Sequence, residues 1–540
     1  MRYSLAPIFL IISLSLIFQA ASGQVLCPVI PLPAQAERQS GFFSLNESTP
    51  ISISDDALRP VAHYIQKELL RKNSLSLSIQ SKTKMPAIRL VLLKKRKDEA
   101  YTLQMNTRGI SISAANPEGV FYGAVSVLQM ISQSPVKNGN MALSCWNIND
   151  KPAYSWRGIM LDESRHFFGK EKVKSILDWM AFYKLNRFHW HLTDEPGWRL
   201  EVRKYPKLAL IGGIGNYLNE NAPASYYTQE DIKEIVAYAA ERYIIVVPEI
   251  DMPGHATAAN KAYPQFSGGG SAGHPEFTFN PALPATYTYL SDILREVNVL
   301  FPSGMIHLGG DEVSYGNEKW NTNQDLKEMM KEEGLADVKG VERYFMKRMA
   351  DSVYGLNAKV LVWDEAADAG LPPEKTVMFW WRHDKEDQLK LALAKGYKTV
   401  LCPRLPFYFD FVQDSTHTYG RKWGKQYNAL KDVYEFLPER YAKHFKEKDQ
   451  ILGIQANLWT ETVYNEQRLD FLLFPRIAAL AEGAWTLAPV KNHEEFIERL
   501  RGHIRLYKEA GIYCYDPFQP SKNSEPGRRE VGLKRFETEE

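Results

Sequence analysis

The sequence predicts a (β/α)8 TIM barrel preceded by a smaller α+β domain. From Ser155 onward, short apolar runs alternate with amphipathic helical segments, which is typical of repeated βα units around a parallel sheet. Eight candidate strands follow in order: WRGIMLD, RFHWHLTD, IIVVPEID, MIHLGGDE, KVLVWDE, TVMFWW, KTVLCP and GIQANLWTE. Eight units over roughly 350 residues fit a barrel with insertions. An open doubly wound sheet is the alternative, but it would usually show fewer strands and a glycine-rich dinucleotide turn, which this sequence lacks.

The total of 540 residues favours two domains. Residues 24–150 read as an N-terminal α+β domain, with candidate strands AIRLVLL, YTLQM and GISISA before a helical segment, GVFYGAVSVLQMI. Residues 151–510 are assigned to the barrel, with helices such as KEKVKSILDWMAFYKL and TQEDIKEIVAYAAERY. Residues 511–540 are expected to form a C-terminal tail that packs briefly and then frays.

Residues 1–23 have the features of an export signal peptide. Arg2 precedes an apolar run, and the small residues of AASG suggest cleavage between Gly23 and Gln24. No second apolar stretch of about 18 residues follows. We therefore expect an exported protein, periplasmic or extracellular, with no membrane span in the mature chain.

The net charge and the cysteine content give no indication of a nucleic-acid partner, a metal knuckle or a disulfide framework. The formal net charge of +2 gives no indication of nucleic acid or of an acidic partner. The four cysteines, Cys27, Cys145, Cys402 and Cys514, match neither a metal knuckle nor a disulfide framework. Cys402 is expected in the core, and a pairing of Cys27 with Cys145 stays open.

Polar and aromatic side chains gather where the candidate strands end, which is where barrel enzymes carry their active sites. In strand order, the clusters contain Asp162, Arg165 and His166; His189, His191 and Asp194; Glu249, Asp251 and His255; Asp311 and Glu312; Trp363, Asp364 and Glu365; Trp380 and Trp381; Tyr408; and Trp459 with Glu461. Any one of them could be a cap or a salt-bridge partner. A cluster at every strand end, combining carboxylates with aromatic rings, instead predicts a sugar pocket.

Other classes of site fit less well. His189 and His191 share one face of a strand, and with Asp194 they could ligate zinc. The aromatic neighbours of these histidines favour a packed network over a metal site. Phosphoryl transfer lacks its glycine-rich loop, and a serine hydrolase lacks its G-x-S-x-G turn. The glycine-rich segment FSGGGSAGHP, residues 266–275, is expected to be a flexible loop and is equally consistent with a connector or a lid.

Asp311 and Glu312 are adjacent, which is unusual for a glycosidase. Most glycosidases place two carboxylates on opposite sides of the scissile bond, about 5–9.5 Å apart, and neighbouring residues cannot easily do so. Gly309 and Gly310 remove side-chain bulk and would let both acids face one ligand. If the substrate carries a 2-acetamido group, its carbonyl oxygen could attack the anomeric carbon. Glu312 would then protonate the leaving oxygen while Asp311 held the amide N–H.

The motifs RGIMLDESRHF, KLNRFHWHLTDEPGWRLEV, PEIDMPGHA, HLGGDE, NLWTE and LFPRIAALAEGAW resemble glycoside hydrolase family 20, the β-N-acetylhexosaminidases, over nearly the whole mature chain. The resemblance implies that Asp311 orients the acetamido group and that Glu312 is the acid/base. It implies that Arg165 binds the C3 and C4 hydroxyls and that Glu461 binds those at C4 and C6. Trp363, Trp381 and Trp459 would form walls around the acetamido group and the sugar ring. Tyr408 would hydrogen-bond the acetamido oxygen, and Asp410 would make a further sugar contact. It also implies that His191, Asp194 and His255 support the acid pair.

Several neighbouring residues are left out of the predicted site. Trp380 and Trp381 cannot both face the pocket, because adjacent residues of a strand face opposite sides, and the resemblance to the family favours Trp381. Asp162 and Glu163 are read as strand-end caps. Glu249 and Asp251 are read as structural, like most buried carboxylates of this kind.

The sequence therefore predicts an exported, exo-acting, retaining β-N-acetylhexosaminidase that needs no metal or organic cofactor. Its partner would be a glycan or chitin oligomer with a terminal N-acetylglucosamine or N-acetylgalactosamine, and no nucleic acid. The alternative is a catalytically silent glycan-binding protein on the same barrel. The oligomeric state is not indicated.

Overall fold

The structure is a computed structural model that describes residues 25–81, 86–93, 99–137, 140–442 and 449–527. The predicted signal peptide, residues 1–23, lies outside these ranges. Within them, no helix combines the length and the apolar character needed to cross a membrane.

Eight parallel strands close into a barrel, so the predicted fold is confirmed. The strands are Trp156–Asp162, Arg187–His191, Ile245–Glu249, Met305–His307, Lys359–Trp363, Thr376–Trp380, Lys398–Leu401 and Ile451–Leu458. The first and eighth strands pair in parallel and close the ring. Most strands are shorter than the predicted runs, because the polar ends of those runs, such as Gly309 to Glu312, lie in the loops at the mouth of the barrel.

Helices surround the barrel and connect its strands. Among the described residues they include Lys170–Phe182, Lys207–Leu210, Gln229–Ala240, Thr257–Ala262, Pro284–Leu300, Gln324–Glu332, Val338–Tyr354, Glu386–Ala394, Arg404–Phe407, Leu430–Glu435, Glu466–Leu473, Arg476–Trp485 and His493–Glu509. The local sequence explains where some of them begin and end. Thr228 forms a capping box with Asp231, and this box starts the helix Gln229–Ala240. Pro475 has no N–H to donate, and it lies in the break between two of the last helices.

The smaller domain is a mixed sheet with two helices. Its strands are Gln35–Leu45, Ile51–Ile53, Ile79–Gln80, Ala87–Leu92, Tyr101–Asn106, Gly109–Ala114, Val136–Lys137 and Asn140–Asp150, and its helices are Arg59–Asn73 and Pro117–Ser132. The sequence identified three of these strands and the second helix. It missed the strand Gln35–Leu45, which is mostly exposed and therefore lacks an apolar run.

The two domains meet around polar contacts between buried groups. The Gln129 side chain donates to the carbonyl of Phe182 at 2.5 Å, and the Trp485 indole N–H donates to Asp150 at 3.0 Å. Arg157, near the beginning of the first barrel strand, donates to the Tyr122 hydroxyl at 2.8 Å. The smaller domain thus contacts the start of this strand, at the opposite end from the clusters singled out in the sequence.

The described part of the C-terminal tail packs more extensively than the sequence suggested. The Glu525 carboxylate accepts the backbone N–H groups of Thr418 and Tyr419 at 2.6 and 3.0 Å, and it lies 3.4 Å from Arg468. The expected fraying concerns residues 528–540, which lie outside the described residues.

All four cysteines are buried free thiols. The pairing of Cys27 with Cys145, which the sequence left open, is therefore not formed. Cys402 is buried inside the barrel, as its apolar context predicted.

Candidate active site

Aromatic rings pack together at the carboxyl ends of the barrel strands, and this group is here called the aromatic enclosure. Trp363, Trp381, Tyr408 and Trp459 belong to one buried cluster, although they come from four different strand ends. The Trp381 and Tyr408 rings are nearly parallel, at 12° and with centroids 6.2 Å apart. Trp459 completes the enclosure, with its centroid 6.1 Å from both Trp363 and Tyr408.

The two neighbouring tryptophans of the sixth strand face opposite sides. Trp380 packs outward against Tyr441, with ring centroids 5.0 Å apart, whereas Trp381 belongs to the inner cluster. Buried carboxylates hold two of the inner rings, since Trp363 donates its indole N–H to Glu249 at 2.9 Å and Trp381 donates to Glu365 at 3.0 Å. Their polar edges are satisfied by protein groups, so the ring faces can line the enclosure.

Asp311 and Glu312 follow a tight glycine turn. Gly309 and Gly310 have φ of 65° and 90°, and a Cβ on Gly309 would lie 1.7 Å from a carboxylate oxygen of Asp251. Glu312 also has a left-handed backbone, with φ of 53°. Such a conformation costs a non-glycine residue about 1–3 kcal/mol and often marks a functional site.

One imidazole faces both acids. His255 Nε2 lies 3.9 Å from Asp311 Oδ2 and 3.6 Å from Glu312 Oε2, and its Nδ1 lies 3.0 Å from Asp194 Oδ1. Burial lowers the pKa of His255, but Asp194 and the two acids outweigh it and raise the pKa to about 10. His255 is therefore a cation at neutral pH, with one nitrogen held by Asp194 and the other directed at the acid pair.

Burial raises the pKa of Asp311, the nearby carboxyl of Asp251 raises it further, and His255 opposes both. The pKa of Asp251 is also raised, by burial and by Glu249. Burial raises the pKa of Glu312 as well, against His255. Like charges so close together disfavour the ionisation of all these carboxyls at once.

Arg165 lies beside the ring of Trp459, with the guanidinium carbon 5.1 Å from the ring centroid. Its Nη1 lies 2.5 Å from Asp194 Oδ2, and its Nη2 lies 4.0 Å from Glu461 Oε1. The Asp162 carboxylate accepts the backbone N–H of Arg165 at 3.1 Å, so Asp162 acts as the predicted cap and fixes the loop that carries the arginine.

Two carboxylates and a second arginine form a polar end of the site. Arg421 Nη2 lies 2.8 Å from Glu461 Oε1, and its Nε lies 3.4 Å from Asp410 Oδ2. Burial raises the pKa of Asp410 to about 7, with Arg421 opposing. Asp410 Oδ1 and Glu461 Oε2 are buried and have no hydrogen-bond partner within the described chain, so they are available to a ligand's hydroxyls. The sequence missed Arg421, which lies in the long loop after the seventh strand and in no motif.

A network of histidines and carboxylates lies beneath the site. His191 bridges Glu249 and Asp194, at 2.5 and 2.8 Å, and Glu249 also lies 3.0 Å from both His189 and His307. The zinc arrangement considered from the sequence requires His189, His191 and Asp194 to converge. In the structure His189 groups with Glu249 and His307, whereas His191 groups with Asp194, so that ligand set is not formed.

A parallel barrel with a carboxylate pair, an aromatic enclosure and free hydroxyl acceptors at one end defines the class of glycosidic-bond-cleaving enzymes. Comparison with known proteins specifies the family. Residues 154–488 match the glycosyl hydrolase family 20 catalytic domain, and residues 26–151 match domain 2 of the same family. The chain therefore belongs to glycosyl hydrolase family 20.

Individual relatives agree with this assignment. The chain is 33% identical to a beta-hexosaminidase of Porphyromonas gingivalis over 517 residues, which are 92% of this chain and 66% of that protein. It is also 33% identical to a beta-hexosaminidase of Vibrio furnissii over 85% of this chain and 77% of that protein. A solved GH20 exo beta-N-acetylglucosaminidase from Vibrio harveyi, in complex with N-acetylglucosamine, superimposes with a TM-score of 0.84 at 30% identity, covering 91% of this chain and 78% of that one. The chain thus spans about two thirds to four fifths of these proteins.

Proposed function

We propose that this protein is an exo-acting, retaining β-N-acetylhexosaminidase that removes terminal N-acetylglucosamine or N-acetylgalactosamine from glycans or chitin oligomers. The observation that carries the proposal is the adjacent pair Asp311 and Glu312, which face one imidazolium beside an aromatic enclosure. Two neighbouring acids cannot easily straddle a glycosidic bond, which favours a nucleophile supplied by the substrate itself. The similarity to beta-hexosaminidases supports the same class of substrate.

The nucleophile would be the carbonyl oxygen of the 2-acetamido group. Trp363, Trp381 and Trp459 would enclose that group, and Tyr408 would donate its hydroxyl to the amide oxygen. Asp311 would accept the amide N–H, since its Oδ1 is buried and has no hydrogen-bond partner among the described residues. The amide oxygen is then held beside the anomeric carbon, and attack gains from proximity.

Glu312 would act as the general acid and then as the general base. Burial raises the pKa of its carboxyl, which favours the protonated form that a general acid needs. As the amide oxygen bonds to the anomeric carbon and the glycosidic bond breaks, Glu312 protonates the leaving oxygen, and an oxazolinium ion forms whose N–H stays hydrogen-bonded to Asp311. Glu312 then takes a proton from water, which opens the oxazoline from the opposite side, so the two inversions give net retention. A cavity of about 340 Å³ that borders Glu312 and Trp381 offers room for the leaving group.

The proton shared among the buried acids would move with substrate binding. Asp311 and Asp251 both have raised pKa values, so the pair holds one proton more readily than none. An amide N–H directed at Asp311 favours its ionised form and leaves the proton on Asp251. Substrate binding thereby produces the charge that later stabilises the oxazoline.

The polar end of the site would make the enzyme exo-acting. Arg165 and Glu461 would bind the hydroxyls at C3, C4 and C6, and Asp410 would add a further contact. Arg421 lies against both carboxylates and limits the space beyond them. A glycan that continued beyond the terminal sugar at its non-reducing end would have to displace Arg421 from its ion pairs with these two carboxylates.

The test compares two aryl glycosides that differ only at C2, one with an acetamido group and one with a hydroxyl. We expect turnover of the acetamido compound and almost none of the hydroxyl compound, because the latter lacks the nucleophile. A 2-fluoro sugar that traps covalent intermediates in ordinary retaining glycosidases should leave no adduct. A stable sugar adduct on any carboxylate would refute substrate assistance, and binding without turnover would favour the silent glycan-binding alternative.

A further inference from the structure

The segment 266–279, here called the strap, packs against the turn that follows Glu312. The sequence suggested a flexible loop, either a connector or a lid. Instead, Ser267–Gly269 and Thr278–Phe279 pair as a two-stranded antiparallel sheet, and the segment between them folds back over the barrel mouth.

The strap ties two loops of the barrel together. His274 Nδ1 lies 3.0 and 3.1 Å from the two carboxylate oxygens of Glu195, which follows the second barrel strand. The His274 ring also lies against Tyr315, at 26° and with centroids 5.9 Å apart, and the Ser271 hydroxyl donates to the carbonyl of Tyr315 at 2.7 Å. Tyr315 in turn donates its N–H to the carbonyl of Glu312 at 2.9 Å.

Phe277 connects the strap to the histidine that faces the acids. It is fully buried, and its ring centroid lies 4.8 Å from that of His255. A Cβ added to Gly316 would lie 2.3 Å from the Cβ of Phe277, so the turn after Glu312 packs directly against the strap. The strap therefore contacts both the turn that follows Glu312 and His255, the histidine that faces the two acids.

The backbone of Glu312 requires support of this kind. A left-handed non-glycine residue persists only when surrounding structure determines it, and Glu312 has φ of 53°. We propose that the strap is a positioning element, in which the contact between His274 and Glu195 holds the turn that carries Glu312 in its strained conformation. The kinetic consequence rests on the proposed function, in which Glu312 is the general acid.

The charges around His274 are consistent with this role. Its hydrogen bond to Glu195 raises the pKa of His274, against partial burial. The charge of His255 lowers that pKa and the charge of Glu312 raises it. The ion pair with Glu195 thus strengthens on protonation of His274 and weakens at alkaline pH.

The experiment measures kcat and KM of His274→Ala on diacetylchitobiose, which has a poor leaving group, and on an activated aryl glycoside. We expect kcat on the disaccharide to fall about 10- to 100-fold, since a misplacement of about 1 Å can have that effect. KM should stay within about twofold, and the loss on the aryl glycoside should be smaller because that leaving group needs less protonation. His274→Gln keeps an N–H for Glu195 and should recover part of kcat. Ala272→Ser, at an exposed position of the same strap, is the matched control.

A double variant distinguishes positioning from general damage. If His274 acts through Glu195, adding Glu195→Ala to His274→Ala should cause little further loss. Fully additive losses, equal losses on the two substrates, or unchanged kcat would each overturn the proposal. Crystal structures of parent and variant report independently of activity, because the Glu312 turn should differ between them, and an identical turn would also overturn it. An inactive parent would instead refute the proposed function.

Discussion

Replacing Asp311 by Asn tests the role of one charge with almost no change in shape. The Asp311 side chain is nearly buried and faces His255, and Asn keeps its volume while removing the carboxylate. The amide nitrogen of the substrate carries little charge before reaction and gains positive charge as the oxazoline forms. The substitution should therefore affect the transition state more than the bound substrate.

The magnitude follows from Coulomb's law. Two unit charges about 4 Å apart interact by about 4 kcal/mol at an effective dielectric constant near 20. About 1.4 kcal/mol corresponds to a factor of ten in rate. Since only part of a unit charge develops on the amide, we expect kcat of Asp311→Asn to fall about 10²- to 10³-fold, with KM changed by no more than a few fold.

The assay uses the acetamido aryl glycoside and its 2-hydroxyl counterpart with the parent and the variant. Asp387→Asn is the matched control, because the side chain of Asp387 is 93% exposed and the chemical change is the same. The loss should be confined to the acetamido substrate. A variant that raises KM while leaving kcat intact, or that slows both substrates equally, would refute the assignment of Asp311 to the substrate's own nucleophile.

Four further predictions concern the acid, the polar end, the histidine and export. Glu312→Gln should lose about 10²–10⁴ in rate on poor leaving groups and less on activated aryl groups, and equal losses would contradict its role as the acid. Arg165→Gln should weaken substrate binding by about 1–3 kcal/mol, because it leaves buried polar groups unpaired, and KM or direct calorimetry would measure this. The pKa of His255 is raised from 6.5 to about 10, so its contribution to the free energy of unfolding is complete below about pH 6.5 and is lost as the pH rises to about 10. The unfolding temperatures of the parent and of His255→Gln should therefore converge over that pH range. A difference that stays constant with pH would argue against this role. The mature exported chain should begin at or near Gln24, and N-terminal sequencing that starts at Met1 would exclude cleavage.

The sequence predicted the barrel well because strand ends carry a strong local signal. Each inner strand is a short apolar run, and the polar residues that follow it mark the mouth of the barrel. The alternation of side chains along a strand showed that only one of Trp380 and Trp381 could face inward, and the choice of Trp381 came from the resemblance to the family. The long strand Gln35–Leu45 has no such signal, because it is mostly exposed and is held in the sheet by pairing with a strand far along the chain.

The parts of the site that the sequence missed depend on contacts between distant loops. Arg421 reaches Glu461 from a loop without regular structure, and nothing in its neighbours distinguishes it from any exposed arginine. His274 and Glu195 are 79 positions apart, and they meet only because the second and third strands are adjacent in the barrel. The spacing of residues predicts which side chains share one face of a helix or strand. These contacts depend instead on how separate loops pack against one another.

The two glycines before the acid pair are a feature that the sequence identified but explained only in part. The sequence suggested that Gly309 and Gly310 free space beneath the acids, and the structure gives a more specific reason. Asp251 occupies the position where the Cβ of residue 309 would be, and its carboxylate accepts the N–H of Gly310 at 3.3 Å. The turn is thus closed around a buried carboxyl that raises the pKa of Asp311. In the proposed mechanism, the two glycines bring this carboxyl against the neighbouring acid, so that an amide bound at Asp311 would leave the proton on Asp251.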